Sequence, residues 1–132
     1  MLEENTKQKI LVVDDENLIR QLMSALLAEH GDVIVAESGE QALPMIDAEK
    51  PDLVILDVQM PELDGYEVCS RLKADPKTAD IPVVFLTANS TNKAEEDGLE
   101  AGATDFIRKP ISPQIVRTRV ANILKLQAAT RQ

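Results

Sequence analysis

The chain has 132 residues, enough for one domain with a real hydrophobic core. Apolar residues make up 44% and charged residues 28%, an ordinary globular mix, and the net charge is −9. That much acid repels DNA and anionic membrane, and with only Tyr66, Phe85 and Phe106 as aromatics there is no stacking platform for single-stranded nucleic acid, so both are excluded as direct partners.

Residues 1–8 are polar and read as a disordered arm, residues 9–128 as the folded domain, and 129–132 as a frayed tail. The first apolar run is Ile10–Val13, followed by Asp14, Asp15 and Glu16. A first helix follows, with Leu18, Leu22 and Leu26 beside Ile19, Met23 and Leu27 in one broad apolar stripe. The second run, Val33–Ala36, leads into a helix opened by Ser38 and Gln41 at capping-box spacing; Pro44 inside it predicts a kink or irregular turn. The third run, Leu53–Leu56, ends in Asp57, and its helix opens with Asp64 and Glu67. The fourth run, Val83–Leu86, ends in Thr87 and Ala88. Its helix, about 91–101, is weakly apolar and carries Gly98, so it reads as a poorly helical, mobile or solvated element. The fifth, Phe106–Ile107, ends in Lys109 and Pro110, and the last helix opens with Ser112 and Pro113 and runs toward Gln127.

Short β-branched runs alternating with amphipathic helices predict an α/β fold: an open, doubly wound five-stranded parallel sheet covered on both faces. There is no signal peptide and no apolar run long enough to cross a bilayer, and the single cysteine, Cys69, fits a reducing compartment, so a cytoplasmic location is expected.

Ligands of such sheets bind beyond the carboxyl ends of the strands. Those ends deliver Asp14, Asp15 and Asp57, the Thr87 hydroxyl and the Lys109 ammonium. Carboxylates this crowded repel one another, and an oxygen-only set suits Mg²⁺, with Mn²⁺ as the alternative. Zinc is not expected, because no His or Cys cluster is present. A carboxylate such as Asp57 can act as nucleophile and carry a phosphoryl group, with Lys109, the Thr87 hydroxyl and the Ala88 N–H neutralising its oxygens. Each residue alone has a bland reading as a turn, cap or solvated charge; their arrival at four strand ends together is the signal.

The stretches ILVVDDE (10–16), LVILDVQMPELDGYE (53–67), IPVVFLTA (81–88) and EAGATDFIRKP (100–110) closely resemble the receiver domain of two-component response regulators. The resemblance covers Lys9 to about Leu126 and implies a flavodoxin-like (βα)5 fold with strand order 2-1-3-4-5. It implies Asp57 as phosphoacceptor, Asp15 as direct metal ligand, Asp14 as its acidic partner, and the Gln59 backbone carbonyl as a further ligand. Thr87 and Phe106 match switch positions, Lys109 the phosphate-pairing lysine, and Lys109–Pro110 a cis peptide. Gly65 matches the glycine that turns the loop after the acceptor strand, and Gln59 and Asn89 flank the site where hydrolysis is tuned.

The implied function is to take a phosphoryl group from a sensor histidine kinase or phosphotransfer protein, and slowly hydrolyse it. The face made by helix 4, strand 5 and helix 5 would then control a downstream partner, an output domain or a phosphorylation-linked dimer. The domain would catalyse its own modification without being an enzyme in the usual sense. The alternatives are a Mg²⁺-dependent aspartyl-phosphate phosphatase, which would want a DxD pattern after the first strand, and an unphosphorylated interaction scaffold. His30 as a phosphohistidine is disfavoured by its place at a helix end.

Overall fold

The computed structural model describes residues 7–88 and 91–130. Ten elements alternate along the chain: β1 (Lys9–Val13), α1 (Asn17–Leu27), β2 (Asp32–Ala36), α2 (Gly39–Glu49), β3 (Leu53–Asp57), α3 (Gly65–Ala74), β4 (Val83–Thr87), α4 (Asn92–Ala101), β5 (Asp105–Arg108) and α5 (Pro113–Thr130). The strands form one parallel sheet in the order β2-β1-β3-β4-β5: the doubly wound form expected from the alternation of runs, in the flavodoxin-like order that the family resemblance implies.

Alternate residues of the sheet feed two cores. On one face Leu11, Val13, Val54, Leu56 and Phe85 meet Ala42 and Ile46 of α2 and Val68 and Leu72 of α3. On the other, Ile10, Val12, Ile55, Leu86 and Ile107 meet Met23 and Leu27 of α1 and Val116 and Val120 of α5. Every residue of β3 and β4 is buried, so each large aliphatic there contributes about 1.5–3 kcal/mol of burial. This places Asp57, the last residue of β3, at the end of the most tightly held strands.

The helix starts follow local chemistry. The Ser38 side chain accepts the Gln41 N–H at 3.1 Å, Asp64 accepts that of Glu67 at 3.0 Å, and Thr91 accepts that of Ala94 at 3.1 Å.

Three expectations need correction, and a fourth, at Pro44, is narrowed. The α1 stripe is wider than the surface the sheet can cover: Met23, Leu26 and Leu27 are buried, while Leu18 is 75% and Leu22 38% exposed. β2 is an edge strand, covered only in part, with Val35 exposed. At Pro44 no irregular turn interrupts α2: the helix continues through the proline, which faces solvent together with Glu40, the residue four positions back, so water can take the carbonyl that Pro44 leaves without a donor. Finally, α5 runs to Thr130, past the expected Gln127.

Candidate metal and phosphoryl site

β1 ends just before Asp14 and Asp15, and β3 ends in Asp57; the two strands are neighbours in register, Val13 beside Leu56. One carboxylate oxygen from each of Asp14, Asp15 and Asp57 lies within 4.8 Å of the other two. Asp14 and Asp57 are buried and Asp15 is exposed, so the cluster has an inner floor and one open side.

β5 delivers the counter-charge. The Lys109 ammonium lies 3.2 Å from Asp14 Oδ2, 3.4 Å from Asp57 Oδ1 and 3.5 Å from Glu16 Oε1. The Lys109–Pro110 peptide is cis. Burial pulls the lysine pKa down, but Asp14, Asp57 and Glu16 outweigh it and hold it above the usual lysine value. One ammonium does not balance the acids. Burial, and then the charge of Asp14, push the Asp57 carboxyl up to about 6, against the opposing pull of Lys109 and the Gln59 N–H.

Backbone groups fix the two buried acids. Asp57 Oδ1 accepts the Gln59 N–H at 3.2 Å, and Asp14 Oδ1 accepts the Glu16 N–H at 2.9 Å. Asp14 Oδ2 is buried, and among the described residues its one close partner is the Lys109 ammonium at 3.2 Å, which Asp57 and Glu16 share. A buried carboxylate oxygen left this way, beside two more acids and oxygen donors alone, fits a hard divalent cation.

Thr87 ends β4 one residue past Leu86, the register partner of Asp57, and is 6% exposed. Ala88 beyond it is exposed. Asn89 lies outside the described residues. Phe106 is half-buried on β5, its ring centroid 6.1 Å from that of Phe85. Gly65 has a different role from the expected one. The left-handed residue of the loop after β3 is Glu62, at φ 65°. Gly65 opens α3 where a Cβ would lie 2.4 Å from the Asp57 carbonyl oxygen and 2.9 Å from Val58 Cα. The loop can therefore pass directly under the acceptor strand end.

Two neighbours of the site were not singled out from the sequence. Glu16 shares Lys109, and the Arg20 guanidinium donates to the Asp14 carbonyl at 2.7 Å. Glu16 stands next to the acidic pair and could have been grouped with it; nothing in the spacing of Arg20 marks it.

A model of the response regulator receiver domain matches residues 10–121. The chain belongs to that family. It is therefore a phosphoacceptor module of two-component signalling. It is 46% identical over 120 residues to "Probable transcriptional regulator ycf27" of Porphyridium aerugineum, covering 90% of this chain and 49% of that one. To the alkaline phosphatase synthesis transcriptional regulatory protein PhoP of Bacillus subtilis (strain 168) it is 46% identical over 119 residues, covering 89% and 49%. The chain thus spans about half the length of these curated relatives. Among solved structures, the chemotaxis protein CheY4 of Vibrio cholerae matches with a TM-score of 0.85 and 28% identity, over 89% of this receiver and 99% of that chain. The phosphatase and bare-scaffold readings are not favoured by this membership. No helix among the described residues is long and apolar enough to cross a membrane.

Proposed function

We propose that Asp57 accepts a phosphoryl group from the phosphohistidine of a sensor kinase or phosphotransfer protein, beside Mg²⁺ or Mn²⁺. The observation that carries this reading is Lys109, whose single ammonium is the shared counter-charge of both buried acids. An Asp57 oxygen attacks phosphorus in line, the P–N bond breaks, and its electron pair leaves with the imidazole nitrogen, which is neutral or takes a proton. Asp14, Asp15, Asp57 and the Gln59 carbonyl would hold the cation, which supplies charge neutralisation for the transferring group. Lys109 pairs with one phosphoryl oxygen, and the Thr87 hydroxyl and Ala88 N–H donate to another. The Gln59 and Lys109 ties hold Asp57 in place for attack.

The product adds negative charge at the end of β3. Thr87 moves toward it, Phe106 follows, and the surface of α4, β5 and α5 changes to control a partner, an output domain or a second copy. In support of that surface, Leu99 on α4 is 59% exposed and Ile115 on α5 is 44% exposed. The same groups serve slow hydrolysis of the acyl phosphate, a step that the family resemblance has Gln59 and Asn89 tune. The test is uptake of beryllofluoride or acetyl phosphate with Mg²⁺ by the parent and by Asp57→Asn; equal uptake by both would overturn the reading.

A further inference from the structure

α4 brings almost no large side chain to the core. Among its described residues Ala94 and Gly98 are buried, Ala101 is half-buried, and Leu99 faces solvent. It rests instead on the three aromatic rings of the chain, set in a row across three elements. Tyr66 of α3 meets Phe85 of β4 edge-on at 5.3 Å, and Phe85 lies 6.1 Å from Phe106 of β5. At one end of the row the Tyr66 hydroxyl donates to the Ala94 carbonyl at 3.4 Å. At the other end the helix meets the rings with no side chain between. A Cβ on Gly98 would lie 2.5 Å from Phe106 Cε1, 2.7 Å from Cζ and 3.1 Å from Phe85 Cδ2. Real carbon contacts do not close to the two Phe106 distances, and the one to Phe85 is tight. Gly98 is also costly in a helix interior, and its φ is not in the left-handed range, so no turn requires it. Close approach of the rings accounts for it.

We propose that Gly98 is a positioning residue: its bare Cα seats the Phe106 ring against the backbone of α4, so that ring and helix shift only together. The link rests on the proposed reading in one respect, that loading of Asp57 moves Phe106. It adds how the motion reaches α4 in a chain whose residue 106 has no hydroxyl: by packing against a glycine rather than by a hydrogen bond. The only hydroxyl of the row, on Tyr66, ties the first turn of the same helix.

The experiment is amide hydrogen exchange along α4 in the full chain, because local opening is what exchange reads. Helix propensity alone predicts that Gly98→Ala slows exchange by about fourfold. The seat predicts the opposite sign: faster exchange by about tenfold or more, because the helix must lift or the ring must leave. In a Phe106→Ala background the same Gly98→Ala substitution should slow exchange, since the two closest contacts are gone and only the tight but tolerable one to Phe85 remains. If the two backgrounds respond alike, in either direction, the seat is overturned.

Loading gives the second arm. With Mg²⁺ and beryllofluoride, Gly98→Ala should take up the ligand within about threefold of the parent, because the atoms nearest a Cβ at Gly98 belong to Phe106 and Phe85 and not to the residues that would hold it. The change in α4 exchange on loading should then fall away; a change of parental size overturns the coupling. Should Gly98→Ala not fold, Phe106→Ala alone decides the point: with the ring absent, an undiminished α4 response overturns it. If the parent itself fails to load, the reading of Asp57 falls, while the comparison of the two backgrounds without ligand still decides the seat.

Discussion

The acid mouth and the α4–β5 side of the molecule adjoin at Thr87, yet they are built in opposite ways. The mouth hangs on β1 and β3, central strands whose apolar residues from Ile10 to Val13 and from Leu53 to Leu56 are all fully buried. Its side chains are fixed by backbone N–H groups, and its charges are frustrated, with three clustered acids and Glu16 around one lysine. The other side is a four-residue edge strand with one neighbour, and a helix seated on rings through small residues. Chemistry on a phosphoryl group needs donors that do not move, so the stressed charges sit where the backbone cannot yield. A readout needs an element that can shift at low cost, so it sits where few large side chains interlock.

The strongest way to break this contrast is at its centre. Asp57→Asn should reduce loading by acetyl phosphate with Mg²⁺ by more than about a thousandfold, the scale expected for losing a reacting group. The fold should not suffer, because the substitution removes a buried charge that Asp14 repels. Retained loading, or a lower melting temperature at neutral pH, would remove the case for a rigid but electrostatically stressed mouth.

Packing gives the next largest difference. Phe85→Ala empties a fully buried site under both Tyr66 and Phe106 and should cost about 3–5 kcal/mol by denaturant unfolding. Leu99→Ala, on the exposed face of α4, should stay within about 0.5 kcal/mol. A similar cost for both would mean that α4 is locked into the core as firmly as β4.

Much of this contrast could be read before any coordinates. The order of elements, the two-faced sheet and the arrival of Asp14, Asp15, Asp57, Thr87 and Lys109 at strand ends follow from period, burial and topology, which are local or nearly so. What could not be read depends on which atoms meet across elements. The α1 stripe looked uniform, but only the sheet decides that Met23 is inside and Leu18 outside. Gly65 looked like a turn glycine, but the turn belongs to Glu62 and the glycine to a close backbone pass. Gly98 looked like a weak point in a helix, and its reason lies on β4 and β5, thirteen and eight residues away along the chain.

The smallest expected effect is on pH, and it sharpens the contrast because only the mouth should show it. The Asp57 carboxyl titrates at about 6 in the fold against 3.8 for a free side chain. Between those values the folded state binds the proton and the unfolded state does not, so this group makes stability fall as pH rises from about 4 to 6. Solvent at the open side screens the effect, leaving roughly 1–2 kcal/mol of the full linkage. Urea unfolding without divalent cations should therefore show Asp57→Asn gaining on the parent above pH 6 and matching it near pH 4. Added Mg²⁺ should shrink that difference, because a cation favours the ionised carboxylate and pulls its titration down. Carboxyl chemical shifts of Asp57 read the same change directly: a midpoint near 6 that moves lower with Mg²⁺. A midpoint near 4 without metal would mean that Lys109 alone balances the mouth, and the acids around it would then need no cation at all.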